Sequence, residues 1–299
     1  MGPTLPTLLT GHALVGELHR ITFRYTDISQ SRRSLAQAAW ALSRNGIIRL
    51  TGVVSPNLVL TLNHEINELL KSLKIYQTSG ILPDNIANTY LYTQEKLMLA
   101  GYKKLVNADK AVINTRFSKP DGRSGSDAGM IDIFHPEKLS SELDQTIQNC
   151  TQITLIRKLI SLSTLKKVQA KCHNLYINEG VQDTRGFHCD GRALKFKSFV
   201  FLTDVKELED GPYCYVKGTH RNSSAWDHTC KFNSMNNIDP CEFTQLGKNN
   251  ALAMLATAGD IVISSQSGAH RGHPQGPRWA PPGACHNVFS KKTLIVPTV

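Results

Sequence analysis

Cysteine is scarce and unpaired in this chain. Seven stand in 299 residues, an odd number, at Cys150, Cys172, Cys189, Cys214, Cys230, Cys241 and Cys285. No Cys-X-X-Cys occurs, which argues against a structural zinc knot or a disulfide framework and fits a reducing cytoplasm. No apolar run approaches the roughly twenty residues of a membrane span, so no membrane partner is expected. The start, Met1-Gly2-Pro3-Thr4-Leu5-Pro6, lacks a basic region ahead of a long apolar stretch, so no secretory signal is expected. Dense Lys/Arg runs with interleaved aromatics are missing too. Only pairs such as Lys103-Lys104, Lys166-Lys167 and Lys291-Lys292 occur. Nucleic acid is therefore not the expected partner, although the formal net charge is +10. The basic balance fits a small-molecule substrate with a carboxylate, sulfate or phosphate. No repeat, low-complexity tract or clear linker breaks the chain, so residues 1–299 read as a single domain, monomeric or homo-oligomeric. Hydrophobic content of 40% and charged content of 19% suit a soluble protein with a sizeable core.

The first half reads as helical support and lid segments, mainly 30–165. Residues 1–30 read as irregular, with a short strand at Arg20–Tyr25. Leu35, Ala38, Ala39 and Leu42 recur at helical spacing, and Asn45-Gly46 is a helix stop. Ser55-Pro56 is a helix start, with Ser as the cap and Pro in the first turn. Residues 77–128 and 222–250 are polar and read as lids or substrate loops. Residues 143–165 read as one helix. From about 170 to 299 the texture is β: short strands separated by turns such as Glu209-Asp210-Gly211-Pro212. Helices followed by several short strands predict an α+β, mainly β, fold: a jelly roll flanked by N-terminal helices.

The chemistry gathers at Arg185-Gly186-Phe187-His188-Cys189-Asp190-Gly191. Residues i and i+2 of a strand share a face, so His188 and Asp190 are spaced to grip one ion from one side. Cys189 between them points the other way. Gly259-Asp260-Ile261-Val262-Ile263 reads as a turn into a buried strand, and His270 follows. Two histidines and one carboxylate form the facial set of Fe(II) oxygenases, with three positions left open. A bidentate 2-oxo acid, and then O₂, would take those positions. Such an acid needs a cation for its far carboxylate, and arginine suits this. Arg278 is the candidate, with Arg271 in reserve. Arg271 adjoins the ligand and, on a strand, points away from it.

Six stretches in order resemble the phytanoyl-CoA dioxygenase-like family of Fe(II)- and 2-oxoglutarate-dependent oxygenases. They are residues 185–191, Phe199–Val205, Asp210-Gly211-Pro212, Lys217–Arg221, Ala258-Gly259-Asp260 and Gly268–Gly272. The resemblance covers about residues 170–280. It implies a double-stranded β-helix (cupin-like) core and the iron ligands His188, Asp190 and His270. It also implies Arg278 for 2-oxoglutarate, and an asparagine on the preceding strand touching the same co-substrate, Asn174 or its rival Asn178. The implied reaction consumes O₂, turns the oxo acid into succinate and hydroxylates an unactivated C–H bond. Desaturation, ring closure and demethylation are variants. Asp190 argues against halogenation, because chloride needs that coordination position.

The resemblance leaves the substrate open. We expect a tailoring hydroxylase of a bacterial secondary metabolite, with acyl-CoA hydroxylation as the alternative. Arg192, Arg116 and Arg123 are the candidate substrate contacts. Two readings from other classes are a non-catalytic jelly-roll binding protein, and a cupin-like isomerase or zinc protein that needs no oxo acid.

Overall fold

A computed structural model of the chain describes residues 2–72, 89–93, 106–116, 125–221, 223–276 and 291–298. The N-terminal part runs β1 (Thr7–Leu8), α1 (Gly11–Arg20), β2 (Thr22–Arg24), α2 (Tyr25–Gln30), α3 (Arg32–Asn45), β3 (Ile47–Thr51) and α4 (Pro56–Ser72). Then come β4 (Thr89–Thr93), β5 (Ala111–Thr115), β6 (Met130–Phe134), α5 (Ser141–Thr151) and α6 (Ile153–Thr164). The C-terminal part holds β7 (Asn174–Asn178), β8 (Phe196–Phe201), β9 (Tyr213–Val216), α7 (Ser224–Asn236), β10 (Asn250–Ala253), β11 (Ile261–Ser265), β12 (His270–Gly272) and β13 (Lys291–Thr298).

Local chemistry explains several boundaries. Ser31 caps α3 by accepting from the Ser34 amide, and Gly46 ends it in the left-handed region at φ 78°. Other expectations need correction. Residues 11–20 and 25–30 are helices rather than irregular chain. The predicted 143–165 helix is two, because Gln152 adopts φ 45°, ψ 38° and breaks it between α5 and α6. Within 222–250, residues 224–236 form the packed helix α7, whose Trp226 ring centre lies 4.8 Å from that of Phe243.

Among the described residues the strands form two sheets. The larger has the order β2-β3-β11-β8-β13-β7-β6-β5-β4, and the smaller β1-β10-β9-β12. Register sorts the larger sheet into two faces. Leu50, Ile261, Val200, Leu294, Leu175, Ile133 and Ile113 fall in one row across seven strands. Leu50, Ile261, Val200, Leu175, Ile133 and Ile113 of this row join one core cluster with Leu42 of α3, Leu62 and Ile66 of α4, Ile147 of α5 and Leu159 of α6. Each such fully buried aliphatic side chain is worth about 1.5–3 kcal/mol.

The other face carries Phe199, Phe201 and Val262. It shares a second cluster with Cys214, Tyr215 and Val216 of β9, and with Ala251 and Leu252 of β10. The two sheets therefore pack against each other through this face. Beyond the core, the same face turns polar. Asn114, Asp132 and Tyr176 stand in register on β5, β6 and β7. Charge and aromatic bulk thus line the space between the sheets, while the helices seal the opposite side.

Candidate metal centre

His188 lies where the chain crosses from the β7 side to the smaller sheet. It makes a reciprocal backbone pair with His270: His188 N donates to His270 O at 3.0 Å, and His270 N to His188 O at 2.9 Å. Asp190 N donates to Gln266 O at 2.8 Å, and Cys189 N to Cys241 O at 2.9 Å. These bonds extend β12 by one irregular strand and put His188 and Asp190 on the same side as His270. Cys189 is buried among apolar neighbours. Burial pushes its thiol up to about 11, and it is not part of the converging set of ligand atoms.

Three donor atoms converge. Nε2 of His188 lies 3.9 Å from Asp190 Oδ1, and Nε2 of His270 lies 3.8 Å from the same oxygen. The set His188, Asp190 and His270 has its ligand atoms all within 4.8 Å of one another, a spacing that could hold one metal ion. The tautomers follow from the backbone. His188 Nδ1 is 2.8 Å from Gly186 O, and His270 Nδ1 is 2.9 Å from Gly268 O. A carbonyl only accepts, so each Nδ1 carries the proton and each Nε2 offers its lone pair. The His270 arrangement needs glycine at 268, where a Cβ would collide with the Tyr215 hydroxyl.

Electrostatics agree. Burial pushes His188 down to about 3, helped by His270 and Arg185. Burial lowers His270 as well, although Asp190 opposes this. Burial alone would raise the Asp190 carboxyl, but Lys197 and the two histidines hold it well below the usual carboxylate range. Neutral imidazoles beside an ionised carboxylate are the protonation states that a metal ion needs.

A pH dependence follows. Below about 6.5 the unfolded chain protonates His188, while the folded chain keeps it neutral down to about 3. The unfolded state then binds more protons, so stability falls with pH across that window. The melting midpoint of metal-free protein is expected to drop between about pH 7 and about pH 5, with a smaller drop in His188→Gln. Equal drops in the two proteins would refute this.

The site has neighbours that the motif does not reveal. Tyr213 of β9 has its ring 5.6 Å from His270 and 4.6 Å from Phe199 of β8. Its hydroxyl is 3.0 Å from Ser264 Oγ, and Gln266 Nε2 donates to that same Oγ at 2.8 Å. Lys197 Nζ stands 2.7 Å from Asp190 Oδ2. A lysine alternating with Phe196, Ser198 and Phe199 was the available signal for it, because period two turns it toward the same space as Phe199.

The other predicted residues fall in varied places. Asn174 on β7 is 1% exposed, and its Oδ1 has no hydrogen-bond partner among the described residues. Asn178 also leaves its Oδ1 without one but is less buried. Arg271 follows His270 on β12, and its guanidinium lies 5.5 Å from the centre of the Phe187 ring. Arg192 sits 4.0 Å over Trp226 of α7. Arg116 is engaged by Asp132 at 2.7 Å and Asp127 at 2.8 Å, which takes up much of its capacity to meet a substrate. Arg278 and Arg123 lie outside the described residues.

No known family profile matches the chain, and no curated protein does. Solved structures share its fold. AviO1 from Streptomyces viridochromogenes Tue57 is 12% identical with a TM-score of 0.51, over 90% of this chain and 95% of its own. SnoK, a non-heme alpha ketoglutarate dependent carbocyclase from nogalamycin biosynthesis, is 11% identical with a TM-score of 0.51, over 91% and 85%. The epimerase SnoN, solved with Fe3+, alpha ketoglutarate and nogalamycin RO, is 13% identical with a TM-score of 0.50, over 90% and 84%. No helix among the described residues is long and apolar enough to cross a membrane.

Proposed function

We propose that this chain is an Fe(II)- and 2-oxoglutarate-dependent oxygenase, of the phytanoyl-CoA dioxygenase-like kind, that acts on a C–H bond of a small molecule. The observation that carries the reading is the convergence of His188, Asp190 and His270 within 4.8 Å. Their donor set, two neutral nitrogens and one carboxylate oxygen, fits a ferrous ion. The likeness in fold to SnoK and SnoN supports the oxo-acid half. We read the two facing sheets as a double-stranded β-helix and residues 1–299 as one domain.

When bound, the iron and its oxo acid supply O₂ activation at an unactivated C–H bond. The chain's own residues do the rest. His188 and His270 present Nε2 because carbonyls hold their Nδ1 protons. Phe199 and Tyr213 stack as aromatic neighbours on one side of His270. Asn174 offers a buried oxygen, without a partner among the described residues, that would accept from a bound ligand or an ordered water. Arg278 remains our candidate for the far carboxylate. The substrate class we favour is a secondary metabolite, to be hydroxylated. A second reading is rearrangement within a ring system, because two fold neighbours are an epimerase and a carbocyclase.

The test is anaerobic. Fe(II) and then 2-oxoglutarate are added to metal-free protein, and the weak visible charge-transfer band of the chelate is sought. We expect the band in wild type and its loss in His270→Ala. Iron binding without a band would remove the oxo-acid half, and no iron binding would favour the non-catalytic reading.

A further inference from the structure

We propose that Lys197 is a positioning residue for the metal: it occupies one oxygen of Asp190 and so holds that ligand to single-oxygen coordination. The two carboxylate oxygens have different partners. Oδ1 faces both imidazoles, at 3.9 and 3.8 Å. Oδ2 faces the Lys197 ammonium at 2.7 Å. Lys197 comes from β8, a strand that carries none of the three ligands, so the carboxylate is fixed from outside their loop. The lysine side chain is only 13% exposed, although it sits in the apolar strand Phe196–Phe201. A lysine on such a strand ordinarily extends its stem to reach water. This one ends on a ligand oxygen instead.

Residue type matters here. An ammonium is a compact charge that can take one carboxylate oxygen, whereas a guanidinium fork matches both at once. Lysine therefore engages Oδ2 and leaves Oδ1 for the ion. The consequence is a count of open positions. With one oxygen from Asp190, the ligands fill three of about six positions and three remain. With two oxygens, only two remain. An oxo acid that chelates through two atoms would then leave no place for a further small ligand. That consequence rests on the oxygenase reading, but the ligation mode itself does not. The added positive charge acts in the same direction, because it makes the site more attractive to a dianion.

The experiment uses Mn(II) alone as the probe. Metal-free wild type, Lys197→Met and Lys197→Gln are loaded with Mn(II) without oxo acid. Line broadening of the Mn(II) EPR signal in water enriched in the magnetic oxygen isotope counts the bound waters. Wild type should show about three. Both variants should show about two, because methionine cannot donate and glutamine is one atom shorter. Mn(II) affinity should change by about tenfold or more, as for other partners of metal ligands. If the count stays at three in either folded variant, the proposal is overturned. Equal counts of two in all three proteins would overturn it as well. Glutamine tolerates a wet or polar setting, so it serves where methionine fails to fold. Adding 2-oxoglutarate to the Mn(II) wild type then tests the other reading. If no water is displaced, the oxygenase reading fails and the role of Lys197 stands on the water count.

Discussion

Asp190→Ala is expected to weaken Fe(II) or Mn(II) binding by more than ~100-fold, above what the loss of a supporting partner costs. Two effects act in the same direction. The ion loses its only anionic ligand in the set His188, Asp190 and His270. It also gains an uncompensated cation, because Lys197 loses the carboxylate that stands 2.7 Å away. On the proposed oxygenase reading, metal-dependent succinate release should vanish with the metal. The fold should survive, because the carboxylate side chain is 30% exposed and the backbone bond from Asp190 N to Gln266 O needs no side chain. Titration of the metal-free variant by calorimetry, alongside its circular dichroism, decides the matter. Wild-type affinity in Asp190→Ala would remove this residue from the metal centre.

Arg116→Met should cause the largest loss of stability, about 3–5 kcal/mol, because it strips a buried carboxylate of its partner. Asp132 is 1% exposed, and Arg116 meets it at 2.7 Å while reaching Asp127 at 2.8 Å. Asn114 Nδ2 donates to the same Asp132 oxygen at 2.9 Å but carries no charge to offset it. Mutual attraction holds the Arg116 guanidinium well above its ordinary value, against the burial that would lower it. The damage should spread toward the metal. Asp127 Oδ1 accepts from Arg185 N at 3.3 Å, and Asp183 accepts from Gly125 N at 2.6 Å and Ser126 N at 2.9 Å. This lattice ties residues 125–127 to the loop that enters His188. Urea unfolding of the metal-free proteins measures the loss. The double variant Arg116→Met with Asp132→Leu should recover only part of it, because the more deeply buried carboxylate is then gone while Asp127 still lacks the guanidinium. A loss under about 1 kcal/mol in the single variant would show that the pair is effectively solvated.

The convergence of His188 and Asp190 with His270 was legible because a strand's period of two makes His-X-Asp a geometric statement. Capping chemistry was legible at Asn45-Gly46 and Ser55-Pro56, where local residue preferences decide. What escaped was tertiary. Helix α7 hid inside a stretch that reads as a lid, because much of its buried side is polar. Thr229 and Asn233 are almost fully buried, and Asn233 donates to Asp239 O and Glu242 O. Periodicity of apolar residues cannot detect a helix that packs through hydrogen bonds. Gln152 escaped as well, since glutamine gives no local sign of a left-handed break. Lys197 looked like one polar residue in an apolar strand. Its role depends on a carboxylate seven positions earlier, which the fold returns to the same point. Arg116 read as a candidate substrate contact, and only the pairing of β5 with β6 brings it to Asp132.

The meeting of His188 with His270 has a mechanical side. The two are 82 positions apart (270 − 188) and paired backbone to backbone. An ion gripped by both imidazoles would fasten the ends of that long loop together, as a clasp fastens a strap. Open chains resist such closure through their entropy, and any ligand that prefers the closed form shifts the balance toward it. A chelator would therefore unfasten the C-terminal half as well as silence it. Metal supply would then set how long each molecule endures.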